Sequence, residues 1–473
     1  MKKWWEKYYW WLFAAGVAGL TLLCFCQLGA APVYAWDEAR HGINAYEMMQ
    51  QGDYVANYYN GELDYWNLKP PLSFYLVMLG YRIFGYNAWG LRFFSAFCYI
   101  VLAVIVALYL RKKFNPLASL LSIAMFAGGY VYFIFHFVRA GDADALFILL
   151  IGVAYIALLK SSDNANWLHL TGLAVALAFL TKSYHALIML PIIGLYLLFT
   201  QGFKSIKWWQ YFTVTLVTLA PVAIWVGCRA AVDGGKFFHD MLFVDVLNRS
   251  TQVVDNEVHA GYPFFYLIWT LATAVNIIAI GLLLFNLIRK FRRREAWDNL
   301  DKITLIAWFC FWLIYAVARS KFEWYIYPLC VPLTIYAAVR VSEGLTVLNW
   351  HKAWRAVSLT ILAASVLTTL IWVVIPPQRD ELQALMQELP VTAGATYYFQ
   401  DGEYDIIDHD QGEQGALLVF EWRTGQVITK GGAAAFQTAN NAYLIMKKDA
   451  NFTPSATMKE ITSSEHYVLY YRE

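Results

Sequence analysis

Residues 92–113 read RFFSAFCYIVLAVIVALYLRKK. From Arg92 to Leu110 the only charge is Arg92 itself, and the run stops on Arg111-Lys112-Lys113. A helix rises 1.5 Å per residue, so a run of this length spans a hydrocarbon core of about 30 Å. The bilayer core offers the backbone no water to bond, which leaves a helix as the form such a run takes. A basic end marks the side that stays in the cytoplasm.

Runs of this kind recur along most of the chain. We place spans at about 10–31, 92–110, 116–136, 143–160, 167–181, 185–201, 209–231, 263–288, 303–318, 324–341 and 356–375. Composition agrees: 59% of the 473 residues are hydrophobic and 15% charged, against about 25% charged in soluble domains. A single water-soluble core is excluded. The clusters Arg111-Lys112-Lys113, Lys204 with Lys207, and Arg289-Lys290 with Arg292-Arg293-Arg294 fall on the side of Lys2-Lys3. The expectation is an α-helical integral membrane protein of about eleven spans in the inner membrane. Its N-terminus is cytoplasmic and its C-terminal part periplasmic. Val33-Tyr34-Ala35 faintly resembles a signal cleavage site, but the run before it is long and ten spans follow, so the first helix is expected to stay.

After Pro376-Pro377 the composition changes. From Arg379 onward there are 14 acidic and 7 basic residues, and this tail holds none of the six cysteines, so it has no disulfide. Leu382, Leu385, Met386 and Leu389 follow helical spacing, whereas 397–399, 417–420, 443–446 and 467–471 read as strands. Two domains are expected: 1–375 in the membrane, and 376–473 as a small extracytoplasmic α/β unit. No basic stripe suits nucleic acid. Two long outer segments remain, about 32–90 and 232–263. The first contains an amphipathic helix over 37–51 and an aromatic stretch, 54–66, suited to the membrane interface.

Charges at membrane depth are costly and mark sites or pathways. Here they gather at the outer ends of spans: Asp37-Glu38, Arg139 with Asp142 and Asp144, Lys182, and Lys321 with Tyr325. Lys69 and Arg249 come from the outer segments. One chemistry needs this mixture. A sugar carried on a polyprenyl phosphate has a leaving group that departs without a proton. The site then needs a carboxylate to take the attacking hydroxyl's proton and fixed positive charge for the phosphate. Asp37 is the candidate base. Lys69, Arg249 and Lys321 are candidate phosphate ligands, and Asp144 and Asp142 candidates to orient substrate. One base and no acid implies inversion at the sugar carbon. Simpler roles stand beside these. Asp37-Glu38 suits a helix's first turn, Lys69 and Lys182 suit the interface, Arg139, Asp142 and Asp144 suit an ion-pair network, and His259 suits loop packing. Trp66 is a possible sugar platform.

Trp36-Asp37-Glu38-Ala39-Arg40, Gly52-Asp53-Tyr54, Asn60-Gly61, Lys69-Pro70-Pro71-Leu72, and Phe84-Gly85 followed by Leu91-Arg92 form an ordered string. It resembles the first outer loop of the protein O-mannosyltransferase superfamily, which has the GT-C fold and includes aminoarabinose lipid A transferases. Leu180-Thr181-Lys182, His259 to Tyr266, and Ser320-Lys321 through Tyr325 to Pro328 resemble later motifs in the same order. The resemblance covers about residues 30–330. It implies a glycosyltransferase with Asp37 as base, Asp144 (with Glu38 beside Asp37) in the catalytic set, and Lys69, Arg249 and Tyr325 toward the carrier phosphate. Its partners would be a polyprenyl-phosphate-linked sugar (aminoarabinose, mannose or similar) and a glycolipid, glycan or protein acceptor. The lipid A enzymes usually carry Glu before the lysine and often His three residues before the arginine. Here these are Leu68 and Val246, so no metal or other cofactor is expected. The rival reading is a transporter or flippase of lipid-linked sugars, which tends to show inverted repeats; the sequence has no internal repeat.

Overall fold

The computed structural model describes residues 4–134, 136–200, 202–248, 251, 264–271, 273–319, 321–346, 352–400, 413–450, 452–455 and 457–473. Arg249 and His259 lie outside them. All eleven expected spans meet apolar helices: Tyr9–Phe25, Ala88–Lys113, Pro116–Ala127, Asp144–Ser161, Trp167–Lys182, Met189–Phe199, Trp208–Asp233, Ala274–Arg293, Asn299–Val317, Cys330–Thr346 and Lys352–Val374. The third is shorter than expected, and the eighth starts about ten residues later. The apolar stretch 167–199 is broken at Ser183, whose φ of 47° ends one helix and redirects the chain.

Local chemistry sets these ends. Asn87 and Asn115 accept from the backbone N–H groups of Gly90 and Ala118, and Pro116 occupies the first helical position. Arg111, Lys112 and Lys113 close the long helix where a helix dipole favours cations. At the basic end of the bundle, Asp301 is fully buried between Lys290 (2.5 Å) and Arg340 (2.8 Å), tying three helices together.

The outer segment is more ordered than its sequence suggested. Asp37–Gln51 is a helix over the expected residues and ends on left-handed Gly52. A hairpin follows, β1 (Tyr58–Tyr59) with β2 (Glu62–Leu63). Its Asn60 and Gly61 N–H groups donate to the Glu47 carboxylate at 2.6 and 2.8 Å. Leu72–Phe84 then forms a further apolar helix, in a part of the outer segment to which the sequence reading assigns no element.

The tail holds a four-stranded sheet in the order β3 (Thr396–Gln400), β4 (Ala442–Lys447), β6 (Tyr467–Arg472), β5 (Met458–Ser463). β3 and β4 are parallel and the other pairs antiparallel. Residues 417–420 are a correction: they belong to a helix, Gln414–Thr424. Ala416 to Phe420 are all buried, so no alternation separates a strand from a buried helix. β5 was missed because five of its six residues are exposed.

The tail is seated on the helix Asp37–Gln51. One apolar cluster joins Ile43, Tyr46 and Leu91 to Leu385, Leu418 and Phe420. Gln383 holds both backbone polar groups of Val33, at 2.8 and 2.9 Å. Gly42 lies against Leu418 so closely that any side chain there would collide with it.

Candidate active site

A cavity of about 470 Å³ opens beside the start of the helix Asp37–Gln51. Trp36, His136 and Ser183, three of its lining residues, have positive φ values of 65°, 52° and 47°. Such backbone costs a non-glycine residue about 1–3 kcal/mol and gathers at functional sites.

Lys69 is at the centre. Its Nζ donates to Asp37 Oδ1 at 2.8 Å and Asn67 Oδ1 at 3.1 Å, and lies 3.9 Å from Asp142 Oδ1. His136 Nδ1 bonds Asp142 Oδ2 at 2.9 Å and is 3.9 Å from Asp37 Oδ2. The imidazole stacks on Trp324 with ring centres 3.8 Å apart. Burial raises the Asp37 carboxyl, but the Lys69 ammonium outweighs it, with help from His136, and holds the group below the usual carboxylate range. Burial also opposes charge on Asp142, yet Lys69 and His136 hold it well below that range. Burial lowers His136, and its bond to Asp142 more than restores it, leaving it above the ordinary histidine value. The group is therefore two carboxylates against an ammonium and an imidazole that favours its charged form. Lys182 lines the same cavity and donates to both oxygens of Asp144 at 2.6 Å.

Most expected site residues converge here. Asp37, Trp66, Lys69, Lys182 and Tyr325 line the cavity, with Asp142 and Asp144 bonded directly behind it. Glu38 also reaches the wall, but both its oxygens are committed. Arg92 binds them at 2.7 and 2.8 Å, and the Gly141 and Tyr34 N–H groups add 2.7 and 2.8 Å bonds. Arg92 further donates to the carbonyls of Leu28, Ala31 and Pro32. Glu38 thus clamps the first span's end to the 139–144 segment, with both oxygens taken up by that contact. Arg139 donates to the Gln27 carbonyl at 3.0 Å and lies over Trp372, outside the lining. Lys321 is buried and donates to the Ala318 carbonyl, while its neighbours Phe322, Trp324 and Tyr325 line the cavity. His136, Trp324 and Asp245 were missed. The signal for His136 is a lone histidine six residues before Asp142, visible only once Asp142 is suspected.

Leu68 packs among Trp225, Phe237 and Met241 and offers a metal no ligand. Asp37, His136 and Asp142 bring donor atoms within 4.8 Å of one another, but Lys69 already supplies the cation between the two carboxylates.

Residues 68–225 match the family described as dolichyl-phosphate-mannose-protein mannosyltransferase. An undecaprenyl phosphate-alpha-4-amino-4-deoxy-L-arabinose arabinosyl transferase of Pseudomonas savastanoi is 26% identical over 354 residues, 70% of this chain and 61% of its own. A similar transferase of Pseudomonas fluorescens is 26% identical over 392 residues, 76% and 63% of the two chains. The chain thus spans about three-fifths of the length of the curated relatives it matches. The crystal structure of ArnT from Cupriavidus metallidurans bound to undecaprenyl phosphate superposes with a TM-score of 0.71 over 97% of both chains at 14% identity. With its bundle of apolar helices, ordered outer loop and small C-terminal sheet domain, the chain is a multi-pass membrane protein with the GT-C fold.

Proposed function

We propose that this protein transfers a sugar from a polyprenyl-phosphate carrier to a hydroxyl of a glycolipid, glycan or protein at the outer face of the cytoplasmic membrane. The carrier proposed is undecaprenyl phosphate, by likeness to the relatives. The sugar is aminoarabinose, mannose or one similar. The N-terminus lies in the cytoplasm and the tail domain outside it.

The observation that carries this reading is the contact between Asp37 and Lys69 within one cavity. In the absence of donor the two satisfy each other. A carrier phosphate entering the cavity competes for Lys69 and brings its own negative charge to the ammonium. Asp37 then has an oxygen free for the hydroxyl of the acceptor. As the hydroxyl attacks the anomeric carbon, its proton passes to Asp37 while the bond to the phosphate oxygen breaks. Lys69 meets the charge that gathers on the departing phosphate, with Lys182 and His136 nearby. Attack opposite the leaving group inverts the sugar carbon. A flippase has no use for a carboxylate poised on the phosphate ligand.

The test is a transfer assay. Purified protein in lipid nanodiscs is given undecaprenyl-phosphate-linked aminoarabinose or mannose and an envelope lipid extract, and products are read by mass spectrometry. Release of undecaprenyl phosphate with gain of one sugar on an acceptor is expected. Intact donors, together with identical envelope glycolipids and glycans in cells with and without the protein, would reject the proposal.

A further inference from the structure

The first and last spans, Tyr9–Phe25 and Lys352–Val374, leave a gap between them. Together with the third span, Pro116–Ala127, they wall a groove of about 610 Å³. Its lining runs from Leu12 to Cys26 at one side and from Val366 to Val374 at the other, and none of it is charged. Gly16 and Gly19 lower its floor, and a side chain at Gly19 would meet open space. From Leu12 to Cys26 a helix rises about 21 Å, more than half of a hydrocarbon core of about 30 Å. A shallower groove of about 430 Å³ branches from it and shares Ala124, Val366 and Leu370.

Gln27 closes one end of the groove: its Nε2 donates to the Val374 carbonyl at 2.8 Å, across the gap. Arg139 stands on that closure. Its Nη2 donates to the Gln27 carbonyl at 3.0 Å, and its guanidinium lies 5.6 Å from the centre of the Trp372 ring. One carbonyl and one ring face leave most of a guanidinium's five N–H donors uncommitted. No carboxylate pairs with Arg139 among the described residues. The nearby acids are taken, Asp142 by His136 and Lys69, and Glu38 by Arg92. Burial holds the Arg139 guanidinium below its ordinary value. A charge at membrane depth is costly and calls for a counter-charge. The anion that a bilayer offers at that depth is a lipid phosphate, which arginine takes with two parallel donors.

We infer that this groove holds an anionic phospholipid, with its phosphate on Arg139 and its acyl chains along the two joined grooves. The pair of grooves suits a two-chained lipid and not the single chain of a polyprenyl carrier. The larger groove also shares no lining residue with the cavity around Lys69. The inference stands apart from the transferase reading. It gives the membrane a hold on the site, because Arg139 lies two residues before Gly141, whose N–H binds Glu38, and three before Asp142.

Native mass spectrometry of the full chain in detergent would titrate three lipids: phosphatidylglycerol, phosphatidylcholine of the same chains, and undecaprenyl phosphate. One phosphatidylglycerol is expected to bind about tenfold more tightly than phosphatidylcholine, whose ammonium brings its own counter-charge. Arg139→Gln should erase that preference and Arg139→Lys should keep it. Gly19→Leu, which fills open space, should weaken phosphatidylglycerol about tenfold and leave undecaprenyl phosphate within twofold. Equal binding of the two phospholipids to the wild type, a preference unchanged in Arg139→Gln, or displacement of phosphatidylglycerol by one equivalent of undecaprenyl phosphate would overturn the assignment. Should Arg139→Gln fail to fold, Gly19→Leu decides alone, and phosphatidylglycerol binding unchanged in it refutes the groove.

Discussion

Asp37→Asn separates the two jobs assigned to one side chain. Asparagine keeps the size and keeps an oxygen for Lys69 to donate to, so the 2.8 Å contact survives without its charge. Losing the proton acceptor removes a contribution of about 10²–10⁴ to the rate. The donor side moves the other way. A bond between charged groups contributes about 1.5–3 kcal/mol and a neutral one about 0.5–1.5. Lys69 is therefore released from its resting partner by about 1–1.5 kcal/mol. The side chains of Lys69 and Asp37 are 14% and 26% exposed, which keeps solvent from erasing the difference. At 1.4 kcal/mol per decade, the variant should bind the carrier phosphate up to about tenfold more tightly while turning over at least about a hundredfold more slowly. Undecaprenyl phosphate titration in nanodiscs measures the first, and single-turnover transfer the second. A turnover unchanged from wild type removes Asp37 from the chemistry. Slow turnover with weaker carrier binding, in protein of unaltered thermal stability, refutes the competition for Lys69.

Other consequences follow from the surrounding contacts. Arg92→Met leaves the buried Glu38 carboxylate with only the Gly141 and Tyr34 N–H groups; breaking a buried pair costs about 3–5 kcal/mol, read as a large loss in melting temperature in nanodiscs, and the double variant with Glu38→Met should recover part of it. Gly141→Ala puts a methyl against the Leu91 side chain and within 2.9 Å of its carbonyl; the segment holding Asp142 must shift, so transfer should fall even where the protein still folds. The tail's seat should respond to pH through Glu47 and Glu421. Burial pushes Glu421 well above the ordinary carboxyl range, with Glu47 adding to it, and burial also raises Glu47 against its bonds from Gly61 and Asn60. Groups raised in the folded state hold protons that the free chain releases near pH 4.3, so docking is tightest below that value and weakens as pH rises through the folded values. Relative to intrinsic exchange at each pH, amide protection in residues 414–424 should be lower at pH 8 than at pH 5, and Glu421→Gln should flatten the difference.

The spans were legible because apolar runs of about 20 residues have one solution in a bilayer. The helix Asp37–Gln51 was legible from its face of Ile43, Tyr46 and Met49. The site was legible in part: charge at membrane depth pointed to Asp37, Lys69, Asp142, Asp144 and Lys182, and these converge. Glu38 and Lys321 carried the same signal, yet their partners, Arg92 and the Ala318 carbonyl, are set by tertiary contact that spacing does not report. His136 was invisible for the opposite reason, because nothing around it in sequence is charged for two residues on either side. The helix at 414–424 was misread as a strand because burial on all sides erases periodicity.

The helix that begins with Asp37 carries Gly42, Ile43 and Tyr46 beneath the tail's Leu418 and Phe420. Anything that tilts the tail must therefore tilt the helix, and with it the carboxylate at its tip. On the proposed topology the tail domain would be a handle on the proposed chemistry, reachable from outside without crossing the bilayer. If the proposed activity holds, a ligand that pries it loose would stop transfer while leaving the cavity untouched, and a chain cut after the last span would leave Asp37 unaimed.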